Sequence, residues 1–118
     1  AHTTRDFLKL VARVHDIAAI APEGKNMLIQ VTAPPDQTWP LPWALRDFPR
    51  VGYWIDPGQV PENLNQPPFL ITSLRFEDAN RTRIGENYLR EYYGLRPDVL
   101  LAVWIRRDLW DAFMETRR

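Results

Sequence analysis

Four short apolar runs, at 27–33, 51–55, 69–74 and 99–105, set the frame into which this chain must fold. Each has the length of a strand rather than a helix, and proline, glycine or polar residues flank them. The first, Met27-Leu28-Ile29-Gln30-Val31-Thr32-Ala33, is almost continuously apolar. A strand buried on both faces reads this way, because neither side of it meets water. The intervening segments carry helical signals. Strands joined by helical crossovers point to a mainly parallel sheet with helices on both faces.

The helical signals can be followed along the chain. Thr3 or Thr4 can cap a first helix, with Asp6 favourably placed near its positive end. Phe7, Leu10, Val11, Val14, Ile17, Ala18 and Ala21 recur at helical spacing, and Arg5, Lys9, Arg13 and Asp16 fall on the other side. Pro22 ends this helix and a turn follows at 23–26. A short helix is expected at 42–48, after prolines that a first turn tolerates, and one helical turn at 62–65. Asp78 or Asn80 is expected to cap a helix running to Tyr92, weakened at Gly85, with Gly94 just past its end. Asp108 is expected to cap a terminal helix with Leu109, Trp110, Phe113 and Met114 on one face. The predicted fold class is α/β: a small Rossmann-like three-layer sandwich around a mainly parallel four-stranded sheet ordered 2-1-3-4. The last strand can run in either direction. No repeat or linker divides the chain, so residues 1–118 read as one domain.

Composition narrows the function. Fifteen basic residues against 15 acidic leave no net charge, which argues against nucleic acid as a partner. No apolar run reaches the ~18 residues of a membrane-crossing helix. Without cysteine there is no disulfide, cysteine zinc site or thiol nucleophile. The opening Ala1-His2-Thr3-Thr4 lacks an initiator Met and the features of a signal peptide, so the chain reads as processed or as part of something longer. The turn after the first strand, Ala33-Pro34-Pro35-Asp36-Gln37-Thr38, has no glycine, whereas nucleotide-binding turns need backbone to approach phosphate closely. No cofactor is expected. His2 and His15 have no partner at ligand spacing, and no metal is expected either. Ser73 is the only serine and lies outside any GxSxG turn, so no catalytic residue is assigned.

Two segments stand out as binding candidates. Trp39, Trp43, Arg46, Asp47, Tyr53 and Trp54 cluster around the rim where the first strand meets its following helix. In open α/β sheets that rim binds ligands. Tryptophan rings stack on sugars or sit at membrane interfaces, since an apolar ring carries one polar N–H. The plainer alternative is that Trp43, Phe48 and Trp54 fill the core, with Trp39 as the exposed exception. Tyr92, Tyr93 and Arg96 form a secondary candidate suited to anionic groups, or equally to complementing a helix end.

Trp39-Pro40-Leu41-Pro42-Trp43-Ala44-Leu45-Arg46-Asp47-Phe48, followed by Val51-Gly52-Tyr53-Trp54, resembles a block in the flippase-activity-associated proteins. These are large membrane proteins related to the dolichyl-phosphate-mannose–protein mannosyltransferases. Tyr92-Tyr93-Gly94-Leu95-Arg96-Pro97-Asp98-Val99-Leu100-Leu101 and Arg106-Arg107-Asp108-Leu109-Trp110 are similar to that family's extreme C-terminus, and the first helix is similar to the segment after its last membrane span. Ala44 departs from the pattern, which often has Tyr there. The resemblance implies the C-terminal extracytoplasmic domain of a polytopic GT-C-type glycosyltransferase-like protein, facing the periplasm or cell exterior. It implies a non-catalytic accessory role, binding or positioning a glycan, a lipid-linked sugar, an acceptor or a partner, including the protein's own transmembrane region. The enzymatic acids of that class lie elsewhere, so the parent would be the enzyme. A structural or protein-interaction domain without ligand is the second reading, and a small hydrolase built on His15, Ser73 and an acid the third.

Overall fold

The computed structural model describes residues 4–117. Helix α1 (Arg5–Ile20) begins at Thr4, whose hydroxyl accepts the Phe7 N–H, and Asp6 occupies the first turn. The other expected cap, Thr3, lies outside the described residues, as do His2 and Arg118. Strand β1 (Ile29–Thr32) follows, buried along its whole length. Next come the single helical turn α2 (Leu41–Ala44), strand β2 (Val51–Trp54), strand β3 (Phe69–Ser73) and helix α3 (Glu77–Ile84). Strands β4 (Tyr88–Arg96) and β5 (Val99–Arg106) form a hairpin, and α4 (Arg107–Glu115) ends the chain. Short 3-10 turns, such as Pro35–Gln37 and Glu62–Leu64, fill the proline-bearing connections.

The sheet has five strands in the order β2-β1-β3-β5-β4. β1 runs parallel to β2 and β3, while β5 runs antiparallel to both β3 and β4. This overturns the expected mainly parallel four-stranded Rossmann-like sandwich. The difference arises at 85–96. The helix expected to reach Tyr92 stops at Ile84, because Gly85 takes φ 78° and ψ −157°, a region where a side chain is strained. Gly85 thus ends the helix instead of weakening its middle, and Gly94 lies inside β4. Residues 88–96 are an edge strand with one wet face, so Arg90 and Glu91 blur its alternation and imitate a helix surface. A hairpin reverses the chain where a crossover would not, so β5 meets β3 antiparallel.

Smaller departures have local causes. The helix expected at 42–48 is one turn, because Leu45 leaves helical geometry at its end. Asp108 does not cap α4; it lies in the first turn and accepts from Arg106 Nε at 2.7 Å. Asp78 likewise lies in the first turn of α3, while Asn80 is buried further along.

The two faces of the sheet are chemically different. One packs Ile29, Val31, Phe69, Ile71, Val103 and Ile105 against the apolar stripes of α1 and α4 and against Leu41 and Leu45. The other carries a small apolar cluster of Leu70, Ile84, Tyr88, Ala102 and Trp104, next to the buried polar residues Gln30, Thr32, Thr72 and Asn80. Asn80 Nδ2 donates to Thr32 Oγ1 at 2.9 Å and Thr72 Oγ1 at 2.8 Å. Thr32 Oγ1 donates to Thr72 Oγ1 at 2.8 Å, which donates onward to the Thr32 carbonyl at 2.9 Å. Arg83 joins the set, donating to Asn80 Oδ1 at 2.9 Å and Gln30 Oε1 at 3.0 Å. Leaving one such group without a partner costs about 1–3 kcal/mol, so the network holds α3 to the sheet where apolar contact is thin.

Candidate functional site

Helix α1 has two stripes. Phe7, Leu10, Val14 and Ile17 point into the core. Beside them, Leu8, Val11 and His15 follow one another at spacings of three and four residues along a second line. Leu8 is exposed and Val11 and His15 are half-buried. That second stripe faces α2, which is anchored from beneath by the buried Leu41, Leu45 and Phe48. The His15 ring packs tilted on Phe48 with 5.0 Å between centroids.

Between the two elements lies a groove of about 390 Å³, with Leu8, Val11 and His15 on one wall and Trp43, Arg46 and Asp47 on the other. Pro42 and Trp43 fall on the outer side of α2 because Leu41 and Leu45 occupy its inner side. Trp43 is 56% exposed despite its size. Arg46 fixes the ring from one side: its guanidinium sits 4.4 Å from the ring centroid and Nη1 donates to the Trp43 carbonyl at 2.9 Å. The arrangement offers an apolar floor, one aromatic plane and three polar heads. It suits a ligand with an apolar face and hydrogen-bonding edges.

The expected rim is therefore divided. Trp43, Arg46 and Asp47 come together in the groove. Tyr53 and Trp54 are neighbours on β2 and so point to opposite faces of the sheet. The outer edge of the Trp54 ring covers Gly52; a Cβ there would come within 2.4 Å of it. Tyr53 is partly exposed, and its hydroxyl is pushed up to about 12 by desolvation. Trp39 is exposed, in the segment between the Pro35–Gln37 turn and α2.

Tyr92 and Tyr93 also point to opposite faces, since they sit in a strand and not at a helix end. Tyr92 donates to Glu77 Oε2. Tyr93 is buried, donates to Glu91 Oε1 at 2.8 Å, and is pushed up to about 12, chiefly by burial. Arg96 donates to the Asp36 carbonyl. Each of the three thus has a partner within the fold.

The α1 wall is the part of the groove that the sequence pattern hides: Val11 falls in with the core stripe, Leu8 belongs to no motif, and His15 has no partner at ligand spacing, yet the three share a second stripe beside the core one. Ser73 and His15 do not share a partner: Ser73 is buried and donates to Gln37 Oε1 at 2.6 Å, while His15 packs on Phe48. Among the described residues no group of three or more His, Asp or Glu side chains converges on a metal-sized site. No helix among them is long and apolar enough to cross a membrane. Comparisons with family models, curated proteins and solved structures find no match to this chain.

Proposed function

We propose that this domain is a non-catalytic binding module that takes a glycan in the groove between α1 and α2. The observation that carries the reading is the exposed Trp43 ring, braced by Arg46 at 4.4 Å and set beside Asp47 and His15. Sugars present C–H faces to aromatic rings and hydroxyls to planar polar side chains, and the groove offers both. The sequence resemblance supplies the setting: the domain serves a membrane glycosyltransferase-like protein, on the periplasmic or exterior side. There it positions a glycan, lipid-linked sugar or acceptor for chemistry done elsewhere in the parent. The groove does not favour the hydrolase reading: Ser73 is not among its lining residues and donates to Gln37.

The test is an NMR titration of the chain with a neutral mannose trisaccharide. The Trp43 indole resonance moves saturably, and Trp43→Ala weakens binding at least about tenfold, as loss of a stacking ring does. Unmoved Trp43 signals at millimolar sugar sink the reading.

A second reading, docking onto the protein's own membrane part, is favoured by a different observation. Ile55, Leu74 and Leu100 are 55%, 40% and 43% exposed. All three lie at one level, just beyond the carboxyl ends of β2 and β3 and at the start of β5. Apolar side chains gathered on one edge mark an interaction surface. Changing Ile55, Leu74 and Leu100 together to Ser abolishes association with the parent's membrane region under this reading and leaves sugar binding intact.

A further inference from the structure

The sheet face opposite the groove holds a second cleft, of about 220 Å³, lined by Arg81, Gly85, Glu86, Tyr88, Arg90 and Trp104. Trp104 comes from β5 and is 3% exposed. Its indole Nε1 is the one buried side-chain polar atom without a hydrogen-bond partner among the described residues. Buried N–H groups are almost always paired, and leaving one unpaired costs about 1–3 kcal/mol. Its neighbours show how such a group is normally satisfied: Tyr88 OH, on the same cleft, donates to the Pro67 carbonyl at 2.6 Å.

Two cations line the same cleft as Trp104. The Arg90 guanidinium lies 5.4 Å from the Trp104 ring centroid. It pairs with Glu77 at 3.0 Å, leaving further N–H groups of the fork to be used. Arg81 pairs with Asp78 at 3.5 Å, and the Asp78 side chain is 96% exposed. A pair of that kind contributes little and yields readily to a competing oxyanion. The backbone also leaves room: a Cβ built on Gly85 meets nothing within 4 Å. Glu86 is the opposing charge on the cleft wall.

We infer that this cleft binds a small oxyanion, a carboxylate or a phosphate group, accepting from Trp104 Nε1–H and from the guanidinium groups of Arg81 and Arg90. The donors present one N–H and two forks, which match oxygens on a single anionic head. Glu86 sets a limit on affinity and disfavours ligands of high negative charge. The site is separate from the α1–α2 groove and stands or falls independently of it.

The experiment uses the ¹⁵N-labelled chain, whose five tryptophans give five indole N–H resonances. The Trp104 resonance is assigned by its loss in Trp104→Phe, or by triple-resonance spectra if that variant does not fold. Acetate, inorganic phosphate and neutral glycerol are titrated in separate arms at constant ionic strength. The Trp104 indole proton shifts saturably with acetate or phosphate, and the stronger arm names the head group. Arg81→Gln and Arg90→Gln each weaken binding about tenfold, as loss of a hydrogen bond to a charged group does. Glu86→Gln tightens it severalfold. A Trp104 signal that stays still with both anions, or one that glycerol moves equally, overturns the proposal.

Discussion

Asn80 is the residue on which the polar face depends. It is fully buried, and its side chain donates to Thr32, Thr72 and the Phe76 carbonyl while accepting from Arg83. Asn80→Ala strands several of these groups at once, and urea unfolding should show a loss of about 2–4 kcal/mol. Gly52 is constrained differently. Trp54 occupies the place of any side chain at that position, so Gly52→Ala must push the ring aside. A loss of about 1–3 kcal/mol and a changed Trp54 environment in tryptophan fluorescence are expected. Single residues were legible in the sequence where chemistry is local. Thr4 reads as a cap and Asp6 as a first-turn acid from their own neighbours. Trp43, Arg46 and Asp47 share one short segment, so their meeting follows from proximity along the chain. The parting of Tyr53 from Trp54 needed the strand geometry, and the approach of His15 needed the packing of α1.

At the scale of elements, Gly85 decides where α3 ends and where the hairpin begins. Gly85→Ala meets no steric neighbour, so its whole effect is backbone strain at φ 78°, worth about 1–3 kcal/mol. Thermal unfolding measures it. A variant as stable as the parent would mean that the turn readily adopts another conformation. The elements legible in the sequence were those with a strong period or a short apolar run: α1, β1, β2, β3, β5 and α4. The four expected apolar runs do lie side by side as β2, β1, β3 and β5. β4 was lost because an edge strand shows water one face and carries charges that a helix surface would carry too. The shortness of α2 was also hidden, since Pro42, Trp43, Ala44 and Leu45 all tolerate helical geometry, and the helix stops where the Leu45 backbone leaves it.

For the molecule as a whole, desolvated tyrosines, Tyr88 and Tyr93 buried and Tyr53 partly exposed, set the alkaline limit. Desolvation raises the phenols of Tyr53 and Tyr93 to about 12 from an ordinary value of 10, and Tyr88 is raised further for the same reason. The neutral phenol is the form the fold accommodates. Their contribution is fully present below pH 10 and drains away as pH rises toward the folded value of about 12. Urea midpoints should therefore hold steady into mildly alkaline solution and fall across that window. Tyr93→Phe removes its share of the slope. At the acid end Asp108 is lowered, chiefly by its hydrogen bond from Arg106, so its small contribution is lost as pH falls through that depressed value.

Thr4 and Asp6 have one more consequence. The Thr4 hydroxyl donates to the Gly94 carbonyl at 2.8 Å, and the Asp6 carboxylate accepts the Gly94 N–H at 3.1 Å. Gly94 belongs to the outermost strand, whose free amides and carbonyls are what a strand from another molecule would seek. By occupying both, the first turn of α1 removes that position of the edge from pairing with another strand. It does so with side chains rather than bulk, so removing the hydroxyl and the carboxylate together should leave the domain folded but prone to ribbon-like aggregation on standing.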